Sequence, residues 1–307
     1  MIFNAGSARG TSPQGRWLGG KWEFPAGRHV MKKIFVALLF ASIATMADAQ
    51  PRTPGKNEGD ASFKAVKDLN QETNAPKLGN AEPADPLQWQ ASFYSWSGNV
   101  ACTSTLIGAR VLLTAAHCVG DGKRASIRLE DKEYSGPCSH HPHYATDASA
   151  DYALCHLEDA VGGVPYEMIN TKAEDLKKGM RLRLSGYGCV TLTGFGPNDG
   201  IYRIGEAPIT GLPGEIDGEA NTITTVSLMF EDALLCKGDS GGPAFIESEI
   251  SSARKVVSVN SRVWPEMRRS YLSSLTSPAA SNWIAKWIGA GPDRHVCGFS
   301  PEAQGCR

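Results

Sequence analysis

From about Leu78 onward, short runs of aliphatic and β-branched residues alternate with glycine, proline and small polar residues. No long amphipathic stretch and no heptad repeat interrupts them, and the 33 glycines and 18 prolines act as punctuation. That is the pattern of many short strands joined by turns, so the chain reads as all-β. Residues 101–119, "ACTSTLIGARVLLTAAHCV", are one such run, in which apolar β-formers lead into Thr114, Ala115, Ala116, His117 and Cys118. One segment departs from the pattern. In "SPAASNWIAKWI", Trp283, Ile284, Trp287 and Ile288 recur at i, i+1, i+4 and i+5, which predicts one C-terminal helix with its tryptophans used for packing.

The N-terminal part is different in kind. Residues 31–50, "MKKIFVALLFASIATMADAQ", place two lysines before an apolar run and end in the small-residue site Ala47-Asp48-Ala49, the layout of a secretory signal. The run is shorter than the ~20 apolar residues that span a bilayer, and no later segment supplies one. Residues 31–49 are therefore expected to be a signal peptide and the product to be secreted or periplasmic, with no membrane anchor in the mature chain. Residues 1–30 then read as an extension ahead of the true start at Met31. Residues 50–77, polar and poor in apolar positions, read as a linker or pro-segment. A catalytic-sized domain over 78–290 and a Cys-flanked tail over 291–307 complete the expected organisation.

Charge and cysteine usage narrow the class. Six basic and two acidic residues precede Gln50, so of the 31 basic and 32 acidic residues in the chain 25 and 30 remain, a net charge of −5. With no basic block, neither nucleic acid nor an anionic membrane surface is indicated as a partner. All eight cysteines (Cys102, Cys118, Cys138, Cys155, Cys189, Cys236, Cys297 and Cys306) follow the signal, and an even number in an exported chain implies disulfides. Cys102 and Cys118 are spaced to staple a strand to the turn carrying His117. No Cys-x-x-Cys occurs, so no metal site is indicated, and "HHPHY" at residues 140–144 reads as a solvated loop.

Residues 234–245, "LLCKGDSGGPAF", hold a serine between glycines, Gly238, Ser240 and Gly242, which also fits the nucleophile elbow of α/β-hydrolases. Chain order separates the two readings. An elbow needs its histidine after the serine, and the one histidine downstream is His295, in the tail. Upstream lie His117 and, in "HPHYATDASADYALCHL", Asp151. Nucleophilic serine chemistry needs a base to take the hydroxyl proton and a carboxylate to orient that base. The ordered set Thr-Ala-Ala-His-Cys, His-Pro-x-Tyr before Asp-Tyr-Ala-Leu, Ser-Gly-Tyr-Gly-Cys and Gly-Asp-Ser-Gly-Gly-Pro strongly resembles the chymotrypsin-like (trypsin-fold) serine proteases, in a secreted, bacterial-type form with a short first interval.

That resemblance implies two antiparallel β-barrels with a C-terminal helix and the active site between them. It implies Ser240 as nucleophile, His117 as base, Asp151 as its orienting acid, and the amides of Gly238 and Ser240 as the oxyanion hole. Asp239 matches the residue that pairs with a newly freed α-ammonium in zymogen activation, with cleavage after Lys77 exposing Leu78. Leu234, six residues before Ser240, falls at the base of the primary specificity pocket, where leucine favours an apolar P1 side chain. Ser258 and Asn260, in "KVVSVNSRV", fall on the strand expected to hold the substrate backbone, with Asn260 at the pocket mouth. By the same resemblance Cys102 pairs with Cys118, Cys138 with Cys155, Cys189 with Cys236, and Cys297 with Cys306. The function implied is endopeptidase through an acyl-enzyme, acting on protein or peptide substrates without a cofactor. The alternative is a protease-fold binding protein that has lost catalysis.

Overall fold

A computed structural model describes residues 80–307, except 190, 192, 194, 195, 217, 229, 230 and 248–252. The expected extension, signal peptide and pro-segment, with Lys77 and Leu78, lie outside the described residues. Among the described residues thirteen strands are present. β2 (Ser92–Ser97), β3 (Val100–Gly108), β4 (Val111–Thr114), β5 (Arg124–Leu129), β6 (Lys132–His140) and β7 (Ala153–His156) close an antiparallel barrel in the order β2-β3-β4-β7-β6-β5. The second barrel uses β8 (Arg181–Gly186), β9 (Arg203–Gly211), β10 (Thr222–Val226), β11 (Pro243–Glu247), β12 (Arg254–Trp264) and β13 (Arg269–Ser274). Its order is β9-β10-β13-β12-β11-β8, closed by the pairing of β8 with β9, and β1 (Glu82–Pro83) adds to the outside of β9.

Each barrel is filled from its own strands. Phe93, Leu106, Leu112 and Ile127 pack inside the first, and Leu182, Leu184, Ile209, Ile223, Val257 and Leu272 inside the second. A third cluster joins the two and includes Trp89, Tyr152, Phe245, Trp283 and Trp287. Burial of each large apolar side chain contributes about 1.5–3 kcal/mol, so this seam between the barrels is a strong one. The helix α1 (Pro278–Gly289) starts where Ser277 Oγ accepts the Ala280 N–H at 3.2 Å, with Pro278 in the first turn. Its buried face is Ala280, Trp283, Ile284 and Trp287.

One local finding differs from the sequence reading. His141, expected in a solvated loop, is buried: its ring packs edge-on to Tyr152 and Trp283, and Nε2 lies 3.3 Å from the Ala279 carbonyl. The aromatic seam gives this imidazole an apolar home, which "HHPHY" alone does not reveal. The C-terminal tail, in turn, is part of the fold. Cys297 N–H donates to Ile107 O at 2.7 Å, Ile169 N–H to Cys297 O at 2.9 Å, and Arg307 N–H to Tyr166 O at 2.9 Å. Disulfides join Cys102 to Cys118, Cys138 to Cys155, Cys189 to Cys236 and Cys297 to Cys306. Among the described residues no helix is long and apolar enough to cross a membrane.

Candidate active site

The site is assembled from turns at the ends of strands of both barrels. β4 runs directly into a short 3-10 turn, Ala116–Cys118, whose buried flanks leave His117 as the residue facing solvent. The Cys102 bridge ties this turn to β3, and Thr114 Oγ1 donates to Thr103 O at 3.0 Å, doubling the tie. A second turn, Ala148–Ala150, delivers Asp151 just before β7. Asp147 caps it by accepting the Ser149 N–H at 2.8 Å, and Asn221 of the second barrel donates to Asp147 and to Ser149 Oγ, both at 3.0 Å.

These turns bring His117 and Asp151 together. His117 Nδ1 lies 2.6 Å from Asp151 Oδ2, and the His117 backbone N–H donates to Oδ1 at 2.9 Å. The carboxylate is 3% exposed. Burial pushes its pKa up, but the bonds from His117 and a hydroxyl bond from Ser261 outweigh this, and the net shift is downward. With Asp151 ionised, Nδ1 carries the ring proton and Nε2 is left as the basic nitrogen.

Ser240 arrives from the second barrel. Its carbonyl accepts the Thr103 N–H at 2.8 Å, so the loop bearing Ser240 is bonded to the strand that also anchors the His117 turn. Thr103 Oγ1 donates to Gly238 O at 2.9 Å and accepts from Tyr187 N at 3.0 Å, fixing three segments with one hydroxyl. Gly238 and Gly241 have φ of +103° and +81°. A Cβ at Gly241 would in addition overlap Thr103 O and Thr114 Oγ1, so only glycine lets the loop lie against β3 and β4. Asp239, between Gly238 and Ser240, is wholly buried, its Oδ1 accepting from Gly188 N and its Oδ2 from Cys236 N, both at 2.8 Å.

A cavity of about 270 Å³ opens beside the pair, lined by His117, Tyr144, Ala148, Asp151, Ser261 and Arg262. Four of these, Tyr144, Ala148, Ser261 and Arg262, were not singled out in the sequence, and two of them, Ser261 and Arg262, lie on the strand expected to hold the substrate. The serine at the site is Ser261, whose Oγ donates to Asp151 Oδ2 at 2.6 Å. Ser258, three residues earlier, is fully buried with no partner for its hydroxyl. Asn260 is not at a pocket mouth. It is fully buried, donating to Ser185 O at 2.8 Å and Asp239 O at 3.2 Å, and so braces the loop bearing Ser240 from behind. The cause is an irregularity in β12: its register on β13 shifts between Asn260 and Arg262, and Ser261 sits at the shift. The two serines of "VSVNSRV" carry no signal of it.

Leu234 and Leu235 are 1% and 3% exposed. The nearest acid in sequence, Asp232, is already engaged, with Arg181 Nη2 at 2.7 Å and the Leu228 amide at 2.9 Å. Glu266 lies exposed on the turn Pro265–Met267, and Lys237 is exposed beside Gly238. One grouping of metal-capable atoms occurs among the described residues, Cys102, His117 and Cys118, and both of its sulfurs are consumed by the disulfide between them.

Two closed six-stranded antiparallel barrels with one C-terminal helix define the class, the chymotrypsin-like fold. The family model described as Trypsin matches residues 78–284, more than half of the chain, and the protein belongs to that family of serine proteases. No curated protein matches the chain.

Proposed function

We propose that this protein is an exported serine endopeptidase in which Ser240, His117 and Asp151 form the catalytic triad. The observation that carries the reading is the 2.6 Å contact of His117 Nδ1 with a buried, ionised Asp151, on a turn tied through Thr103 to the loop bearing Ser240. Ser240 Oγ attacks the scissile carbonyl, His117 Nε2 takes its proton and returns it to the leaving amine, and Asp151 holds the ring and stabilises the imidazolium. The amides of Gly238 and Ser240 receive the oxyanion, and water then releases the acyl group. An apolar P1 side chain is preferred, because burial beside Leu234 gains about 1.5–3 kcal/mol whereas an unpartnered cation there costs several kcal/mol. The segment 31–49 directs export.

A fluorophosphonate probe tests the assignment, since only an activated serine reacts. The wild-type chain is expected to label once, at Ser240. Ser240→Ala should fold normally, fail to label, and lose several orders of magnitude in peptide hydrolysis. Hydrolysis undiminished in the purified variant would remove Ser240 from the mechanism.

A further inference from the structure

The turn between β12 and β13 and the segment that follows β10 expose large apolar side chains that the site does not use. Leu228, Trp264 and Met267 are 60%, 51% and 52% exposed. They belong to one end of the second barrel, where Arg269 on β13 stands opposite both Trp264 on β12 and Val226 on β10. Arg268 ties the two segments: its Nε donates to Ser227 O at 2.8 Å, its Nη2 to Leu228 O at 3.2 Å, and its carbonyl accepts the Ser227 N–H at 2.9 Å. Large apolar side chains gathered at one place on a surface mark a contact. The place also bears on the site. Ser261 and Arg262, which line the cavity, precede Trp264 on the same strand. At ~3.3 Å per residue Trp264 stands about 10 Å beyond Ser261.

The chain itself supplies an occupant. Asn80, the first described residue, donates from Nδ2 to Asp232 O at 3.0 Å. Asp232 is in turn joined to Leu228 in both directions, its N–H donating to Leu228 O at 3.2 Å and its Oδ2 accepting the Leu228 N–H at 2.9 Å. Residues ahead of Asn80 therefore leave the fold beside Leu228. Within that stretch "SFKAVKDL", residues 62–69, places Phe63, Val66 and Leu69 at i, i+3 and i+6, the spacing of one apolar face, with Lys64 and Lys67 between them. Eleven positions separate Leu69 from Asn80, a reach of up to about 35 Å when extended. The charges match as well. Glu231 and Glu266 are exposed at the border of the apolar surface, and neither is in an ion pair with another described residue, so each is open to a lysine.

We propose that residues 62–69 of this chain dock on the surface formed by Leu228, Trp264 and Met267 and, while joined to the domain, obstruct the approach of a peptide to the cavity. Phe63, Val66 and Leu69 cover the apolar side chains, and Lys64 and Lys67 pair with Glu231 and Glu266. Attachment at Asn80 keeps the segment at a local concentration of about millimolar, so a contact of a few side chains suffices. Cleavage after Lys77 removes that advantage and lets the segment leave. The obstruction rests on the protease reading above; the docking does not.

The test uses the exported chain carrying Lys77→Gln, so that the segment stays joined, with photoreactive benzoylphenylalanine in place of Val66. Crosslinks within one chain to Leu228 or to residues 264–267, mapped by mass spectrometry, are expected. Crosslinks to another face, none at all, or crosslinks between isotopically distinct chains would overturn the docking, the last by showing that the surface joins two copies. A kinetic arm replaces Phe63, Val66 and Leu69 together by serine. This should raise kcat/KM about 5- to 10-fold, through KM, on a peptide with six residues ahead of the scissile bond, and leave the stoichiometry of fluorophosphonate labelling unchanged. Leu228→Ser with Met267→Ser should give the same gain and add nothing to the first set, as for two sides of one contact. KM unmoved by the segment variant, with the crosslinks in place, would overturn the obstruction. If no form labels, the protease reading falls and the obstruction with it, while the crosslinks still decide the docking.

Discussion

Asp151 Oδ2 is shared between the His117 ring and the Ser261 hydroxyl, each at 2.6 Å. The second bond helps keep a buried carboxylate ionised and aimed, so its loss should weaken the base that depends on it. Ser261→Ala is expected to lower kcat/KM about tenfold, the range of one hydrogen bond to a charged group, mostly in kcat. Stopped assays on one apolar substrate would show it, and unchanged kcat would mean that His117 alone orients Asp151. Specificity is also a residue-scale matter. Fluorogenic substrates differing only at P1 should favour Leu, Val or Phe over Arg and Lys, and a tenfold lead for a basic residue, about 1.4 kcal/mol, would reject the apolar pocket at Leu234. At this scale the sequence was legible where a role is bound to a motif. The His117 turn and the Asp151 turn each carry local residues that build it. Ser261 was illegible because serines recur along "VSVNSRV", and only the register shift decides which of them turns toward Asp151. The burial of Arg203, 1% exposed and paired with Asp199, was illegible too, since nothing local marks an arginine as buried.

Among the elements, the loop bearing Ser240 is the most tightly determined. It is bonded to β3 by Thr103, to β12 by the Gly241 N–H on Asn260 O at 2.8 Å, and to β8 through Asn260 Nδ2 on Ser185 O. Gly241 combines a positive φ with contact on two sides. Gly241→Ala should therefore cost more than the ~1 kcal/mol of an unhindered glycine, and should displace Ser240 from Thr103. Urea unfolding together with probe labelling separates the two effects, and a variant of full stability and full labelling would show that the loop has slack. The all-β character and the C-terminal helix were readable because glycine, proline and the tryptophan spacing are local signals. Closure of the barrels was not a local signal: it entered through the resemblance, since the pairing of β8 with β9 and of β2 with β5 depends on register between distant segments.

For the whole molecule, buried ionisable groups set the response to pH. Asp239 has an ordinary value of 3.8 that burial raises to about 7. Between these limits the folded state keeps a proton that the unfolded chain has released, so the stability contributed is complete below pH 3.8 and is lost progressively up to about pH 7. Asp151 acts in the opposite sense, its lowered pKa contributing stability above the ordinary aspartate range and losing it in stronger acid. Urea midpoints collected from pH 4 to 8 should decline more steeply for wild type than for Asp239→Asn, and parallel curves would remove Asp239 as the cause. The tail adds a constraint of another kind, one of time. Its Cys297 amide completes hydrogen bonding at Ile107 on the first barrel, and Val296 and Cys297 are wholly buried there. These partners lie 190 positions apart, from 107 to 297. At about 5–20 residues per second a ribosome needs roughly 10–40 s to cover that distance, so the Ile107 carbonyl on the first barrel waits that long for its Cys297 partner.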